Sequence, residues 1–266
     1  MQYRHLGRTG LKISAVTMGT FTFGGEGGFA RAGAQGVPEA RELVDLCVDH
    51  GVNMIDTANM YSTGLSEEIV GEVMDGRHHD VMITTKARMP IGEGPNDRGA
   101  SRWHLIRECE RSLKRLGRDH IDVYYVHEWD GLTPVEETMA ALDTLVQHGK
   151  VRYVGCSNYA AWQLARAIGR SEARDIVRYE SVQPRYNLLF RNIERELLPL
   201  CDADDIAVIP YNPLAGGMLT GKHRGATAPT EGGRFTLGQA GKMYQGRYWA
   251  DDKFAVVDEL AKLAED

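Results

Sequence analysis

The spacing of apolar positions changes period along this chain. Short β-rich runs alternate with longer stretches in which apolar residues return every three or four positions. Val81–Lys86 (VMITTK) predicts a strand between a polar Arg-His-His-Asp segment and a Pro/Gly-rich loop. In the following Ser101–Leu116, residues Leu105, Cys109, Leu113 and Leu116 share one helical face. Ile121–His127 predicts the next strand. Thr133 then reads as a helix N-cap, with Pro134 in the first turn and Glu136 three residues past the cap. Val135, Met139, Leu142 and Val146 give that helix its apolar stripe. The unit recurs as Met54–Ala58 before a helix at Ser66–Met74, Val151–Ser157 before Ala160–Ile168, and Ser181–Tyr186 before Ile193–Cys201. With Ala15–Gly19 in front and Ile206–Asn212 behind, seven strands are predicted.

Strands alternating with helices imply parallel pairing through right-handed crossovers. This many units over this length predict an α/β fold of the (β/α)8 TIM-barrel type rather than a doubly wound sheet. No Pro/Ser-rich linker divides the chain, so residues 1–266 are expected to form a single domain. Residues 1–14, with Gly7 and Gly10 near a turn, read as an N-terminal hairpin that plugs the bottom of the barrel. The last predicted helix carries Phe254, Val257, Leu260 and Leu263 and runs to Asp266. The expectation is therefore a barrel truncated before its eighth strand.

Composition narrows the class. The 266 residues carry 31 Lys+Arg against 37 Asp+Glu, a net charge of −6, which draws neither nucleic acid nor an anionic membrane. The 42% apolar content excludes a disordered chain. Cys47, Cys109, Cys156 and Cys201 show no C-x-x-C spacing and no zinc-type pairing with His, which fits a reducing compartment. The N-terminus has no signal-type apolar region, and no apolar stretch is long enough to span a bilayer. A cytoplasmic protein is the expectation.

Two Gly-rich segments imitate phosphate motifs. Gly25-Glu-Gly27-Gly-Phe-Ala30 matches G-x-G-x-x-[GA], but it lies in a long Gly-rich stretch, 24–36, with no helix before Pro38. A loop above the first strand is the better reading. Gly216-Gly-Met-Leu-Thr-Gly221-Lys222-His223 falls one residue short of a P-loop, since His223 replaces the Mg²⁺-binding Ser/Thr. Its backbone N–H groups and Lys222 still suit a pyrophosphate.

Barrel chemistry gathers at the C-terminal ends of strands. Those ends carry Asp56 with Tyr61 just after it, Lys86, and His127 on three successive strands. A free Tyr, with a pKa near 10, is a poor acid at neutral pH. A nearby ammonium stabilises its phenolate. A carboxylate holds the Lys charged, and a His can hydrogen-bond a carbonyl. Together they protonate a carbonyl oxygen while its carbon is attacked.

These residues and their contexts resemble the aldo-keto reductase superfamily. The resemblance runs through Leu6-Gly7-x-Thr9-Gly10-Leu11-x-Ile13-Ser14, Asp56-Thr57-Ala58-x-x-Tyr61, Thr85-Lys86, Asp122-x-Tyr124-x-x-His127 and Gly155-x-Ser157-Asn158. It continues through Gln183-x-x-Tyr186-Asn187 and Tyr211-Asn212-Pro213-Leu214-Ala215-Gly216-Gly217 to Gly221-Lys222. The loops look most like the bacterial and potassium-channel-β-like branches. The resemblance implies NADPH-dependent reduction of a small aldehyde or ketone, with Asp56, Tyr61, Lys86 and His127 as the catalytic tetrad and no metal. It further implies that Ser157, Asn158 and Gln183 hold the nicotinamide carboxamide and that Tyr211 stacks on the ring. Leu214, Gly216 and Lys222 would line the pyrophosphate, with Gly19, Thr20, Asp56, Asn212 and Pro213 also touching cofactor. The family often has Ser where this chain has Asn212. Its 2′-phosphate grip lies in a segment around strand 8, so NADH stays open beside NADPH.

Three functional readings stand beside one another. One is the reductase. The second is a nicotinamide-binding regulatory or scaffold subunit with slow chemistry. The third is a class I aldolase using Lys86 as an imine, which leaves Tyr61, His127 and the Ser-Asn and Gln set unexplained. The substrate and the oligomeric state are not legible. Trp103 and Trp129 read equally as pocket-bordering or packing residues.

Overall fold

A computed structural model describes residues 1–29 and 33–265. It divides into two compact units, Met1–Gln183 with Glu196–Ile209, and Pro184–Arg195 with Pro210–Asp266.

The first unit opens with a hairpin of β1 (Tyr3–His5) against β2 (Lys12–Ser14), antiparallel. Its turn is closed by the Leu6 N–H on the Leu11 carbonyl at 2.8 Å and by the Thr9 hydroxyl on the Leu6 carbonyl at 2.7 Å. Leu6 and Ile13 are buried against Met54, Met82, Val123 and Tyr125. Met54 and Met82 begin their strands, so the hairpin covers the N-terminal end of the sheet, as its sequence predicted. Gly7 has φ +57°, and a side chain there would meet the Glu180 carbonyl oxygen at 2.5 Å. Only a glycine lets this turn sit so close.

Strands and helices then alternate. They are β3 (Met18–Gly19), α1 (Val37–Asp49), β4 (Met54–Asp56), α2 (Leu65–Met74), β5 (Met82–Ala87), α3 (Arg102–Leu116) and β6 (Ile121–Val126). They continue as α4 (Val135–Gln147), β7 (Val151–Ser157), α5 (Ala161–Glu172), β8 (Ser181–Gln183), α6 (Leu197–Ala203) and β9 (Ala207–Val208). Strands β3 to β9 form one seven-stranded sheet in strictly sequential order, every pair parallel. This is the (β/α)8-type winding. All six residues of β5 are buried, as expected for a parallel strand covered by helices. Ser101 caps α3 by accepting the His104 N–H at 3.3 Å, and Gly117 ends it in the left-handed region. Inside the sheet, a side chain at Gly155 would strike the Tyr125 ring and reach Ser181 Oγ at 2.7 Å. Gly155 therefore makes room for Tyr125, whose hydroxyl accepts from Ser181 at 3.0 Å.

The second unit holds short 3-10 turns at Ala215–Thr220 and Arg234–Thr236, then α7 (Gly238–Tyr248) and α8 (Asp251–Glu265). Its core is Leu189, Ala215, Met218, Phe235, Tyr244, Tyr248 and Val257.

The structure corrects several expectations. Residues Gly238–Tyr248 form α7, a helix that the apolar pattern does not predict. Its three glycines and few apolar residues blurred the helical period. Helix α4 starts at Val135 with Pro134 in the cap position, and the Thr133 hydroxyl instead donates to Asp130 Oδ2 at 2.7 Å. The helix predicted over Ile193–Cys201 is split into a 3-10 turn, Asn192–Glu194, and α6. Strands predicted over Ser181–Tyr186 and Ile206–Asn212 are shorter, ending at Gln183 and Val208. In the Gly-rich stretch, Gly27–Phe29 form a 3-10 turn and Phe23 bridges Gln35, while Ala30 of the fingerprint match lies outside the described residues.

Candidate active site

The site-bearing residues sit where the strands give way to loops. The backbone ladder runs past the strand ends and fixes them. The Thr57 N–H donates to the Thr84 carbonyl at 2.9 Å, the Asn59 N–H to Lys86 at 3.0 Å, and the His127 N–H to Ala87 at 2.9 Å. The Asn158 N–H reaches the Gln183 carbonyl at 3.2 Å. Each of these candidate side chains thus starts from a rigid base.

Lys86 is fully buried, with Nζ 2.5 Å from Asp56 Oδ2 and 2.7 Å from the Thr57 carbonyl. A buried ammonium is unfavourable unless paired and hydrogen-bonded. Burial pulls its pKa down, but the Asp56 carboxylate and the Tyr61 phenol it bonds outweigh burial, so its pKa lies above the ordinary lysine value. Asp56 Oδ1 accepts from the Thr84 hydroxyl at 2.6 Å and from Gln183 Nε2 at 3.0 Å. Lys86 Nζ lies 5.1 Å from the Tyr61 ring centroid. The His127 ring packs edge-on to Tyr61 at 5.9 Å. Burial, then the positive charges of Lys86 and Arg88, hold His127 well below its ordinary pKa, and its Nδ1 is buried without a hydrogen-bond partner. The structure therefore gathers Asp56, Tyr61, Lys86 and His127, with a charged Lys and a neutral His on the same Tyr.

Tyr61 opens a 3-10 turn whose next three residues are left-handed, Ser62 at φ 49°, Thr63 at 57° and Gly64 at 102°. For Ser and Thr this is strain of order 1–3 kcal/mol each, of the kind concentrated at functional sites. The Tyr61 ring is flanked by Phe21 at 5.3 Å and Phe29 at 5.8 Å. Sequence reading missed these two rings. Their signal was their place in the loop after the first barrel strand, Phe21 just before the Gly-rich stretch and Phe29 within it.

A buried polar layer lies behind the tetrad and was also missed. Glu67 takes the Thr85 hydroxyl at 2.5 Å and Arg115 Nε at 2.5 Å. Glu108 takes Asn59 Nδ2 at 3.1 Å and Arg111 at 3.0 Å. Both carboxylates are at most 1% exposed. They fix α3 to Asn59, two residues before Tyr61, and α2 to Thr85, the neighbour of Lys86.

The amide and hydroxyl set interlocks. The Ser157 hydroxyl donates to the Gln183 carbonyl at 2.7 Å, and Asn158 Nδ2 donates to the His127 carbonyl and to Ser157 Oγ, both at 3.1 Å. Gly19 is exposed, whereas the Thr20 hydroxyl is fully buried and donates to the Asp56 carbonyl at 3.1 Å. Trp129 packs edge-on to Tyr159 at 5.3 Å and Trp162 at 5.5 Å, and Trp103 is exposed.

In the second unit, Asn212 is left-handed, φ 65°, and ties its turn from both ends. Its Oδ1 accepts the Gly216 N–H at 2.8 Å and its Nδ2 donates to Tyr248 at 3.0 Å. Pro213 and Leu214 are exposed. A side chain at Gly216 would meet the Tyr244 ring at 2.7 Å, and one at Gly217 would meet Lys222 Cε at 3.0 Å. Lys222 is thus folded over a glycine turn. Burial raises the pKa of Tyr211, whose N–H donates to the Pro184 carbonyl at 2.9 Å.

Among the described residues no helix is long and apolar enough to cross a membrane, and no group of three or more His, Cys, Asp or Glu could hold a metal.

Known proteins place this arrangement. The chain is 37% identical over 271 residues to a "probable voltage-gated potassium channel subunit beta" of Arabidopsis thaliana, covering 100% of this chain and 79% of that protein. It is 39% identical over 241 residues to an uncharacterized oxidoreductase of Bacillus subtilis, covering 86% and 72%. It is 34% identical over 224 residues to an aldo-keto reductase of the same organism, covering 84% and 65%. The sequence model of the aldo/keto reductase family matches residues 15–266, and with sequential parallel winding and a Lys, Tyr, His and Asp gathered at its strand ends, the chain belongs to that family.

Proposed function

We propose that this chain reduces small aldehydes or ketones to alcohols with NADPH, Tyr61 donating the proton to the carbonyl oxygen. The observation that carries this is the fully buried Lys86, bonded to Asp56 and to Tyr61, beside a His127 whose pKa lies well below the ordinary value. The Lys86 charge stabilises the phenolate that forms when Tyr61 releases its proton. Asp56 keeps that charge in place, and Thr84 and Gln183 keep Asp56 in place. A neutral His127 orients the carbonyl by a hydrogen bond without competing as an acid.

The residues present fit a nicotinamide cofactor in kind. Ser157, Asn158 and Gln183 offer a hydroxyl and two amides, the chemistry that complements a carboxamide. Gly19, Thr20 and Asp56 would complete that end. Within the second unit taken by itself, the Lys222 charge lies over a glycine turn, a combination that suits a pyrophosphate. When bound, the cofactor supplies the hydride. Rings at Phe21 and Phe29 wall one side of Tyr61.

The test is NADPH consumption with an activated aromatic aldehyde, run in parallel with NADH. Tyr61→Phe is expected to lose about 10²- to 10⁴-fold in kcat while still binding cofactor. Wild-type turnover in that variant would end the assignment. The relatives named as channel β subunits favour a second reading, a regulatory subunit with slow chemistry. Slow single-turnover hydride transfer together with tight binding of a partner would support it.

A further inference from the structure

The Gly-rich stretch before α1 has no role as a dinucleotide fingerprint, yet part of it is bonded to the turn that carries Tyr61. Ser62 is fully buried. Its hydroxyl donates to the Phe23 carbonyl at 2.8 Å and accepts the Gly25 N–H at 2.9 Å. Between these partners, Gly24 has φ +95°, and a side chain there would come within 2.8 Å of Ser62 Cβ. The glycine lets the backbone close on the serine. Phe21, just before this stretch, and Phe29, within it, pack against the Tyr61 ring. Thr63 adds a longer hydrogen bond of 3.5 Å to Glu26.

Ser62 and Thr63 hold a left-handed backbone that neither side chain favours. Such a conformation persists only where the surroundings over-determine it. Here the buried Ser62 hydroxyl does so, one residue from Tyr61. Without it the turn can relax toward ordinary dihedrals, and the phenol then moves relative to Lys86 and His127.

We propose that Ser62 is a positioning residue, whose hydroxyl clasps segment 21–29 and thereby sets the Tyr61 phenol against Lys86. This rests on the reading of Tyr61 as proton donor. The clasp also explains why the segment is Gly-rich: its backbone, rather than its side chains, must reach the serine.

Two variants test it. Ser62→Ala removes both hydrogen bonds and keeps the backbone constraint. Ser62→Gly removes both and relieves the constraint. Each is expected to lower kcat by about 10- to 100-fold, the scale of an ångström-level misplacement, with the NADPH dissociation constant changed less than about twofold. The alkaline limb of the kcat profile, which reports Tyr61 deprotonation, is expected to move to higher pH as the Lys86 charge loses its hold. A merely structural serine would leave that limb in place, and Ser62→Gly would then match or exceed wild type. The same shift can be read without turnover or cofactor. Tyrosine carrying ¹³C at Cζ is titrated by NMR in the free protein, and the Tyr61 resonance is identified by its loss in Tyr61→Phe. A higher midpoint in both Ser62 variants supports the clasp, and an unchanged midpoint overturns it. If Tyr61→Phe keeps full turnover, the proton-donor reading falls and the clasp falls with it. If Tyr61→Phe is inactive while both Ser62 variants keep wild-type rates and midpoints, the clasp alone falls.

Discussion

Gln183 Nε2 donates to Asp56 Oδ1 at 3.0 Å, across 127 positions of sequence. The residue expected to hold the carboxamide therefore also holds the carboxylate that fixes Lys86. Deleting this donor concentrates the Asp56 charge toward Lys86 and weakens the Lys86 field at Tyr61. In Gln183→Ala, the NADPH dissociation constant should rise, and the alkaline limb of kcat should move up in pH as well. Weaker binding with an unmoved pH profile would leave Gln183 as a cofactor contact only.

Glu67 and Arg115 form an ion pair in which the carboxylate is fully buried and the Arg is 20% exposed in its side chain. Removing one partner leaves an uncompensated buried charge, which costs about 3–5 kcal/mol. Arg115→Ala should therefore shift the urea midpoint strongly downward. Lys262→Ala, which breaks an exposed pair with Glu259, should leave that midpoint unchanged. Comparable shifts in the two variants would refute the distinction.

His223 is fully buried between Phe235 and Trp249, and neither ring nitrogen has a hydrogen-bond partner. Burial, then the Lys222 charge, lowers its pKa from the ordinary 6.5. The unfolded chain thus takes up a proton below about pH 6.5 that the folded chain does not, so stability falls as pH drops through that range. His104 and His127, also lowered, act with the same sign. His223→Leu should match or exceed wild-type stability at pH 7.5 and flatten the loss toward pH 5. Chemical denaturation at three pH values measures it. A variant whose acid slope equals that of wild type would show that His223 does not contribute.

Alternation of short β-rich runs with helical periods determined the parallel α/β winding from sequence alone. The reason is local: buried parallel strands and amphipathic helices each leave their own period. The strand-end positions of the candidate site residues were legible for a related reason. Strand ends are set by sequence, and this fold places chemistry there, so Asp56, Lys86 and His127 could be placed without coordinates. Helix α7 was not legible, because its glycines and tyrosines carry no clean stripe and its burial comes from Phe235 and Ala215. Nor were the clasp of Ser62 on Phe23 and Gly25, the Glu67 and Glu108 carboxylates, or the bond from Gln183 to Asp56. Each joins residues far apart in the chain through a buried polar contact. Periodicity reports which face a residue turns inward, whereas the partner that satisfies a buried polar group is chosen only when the elements pack.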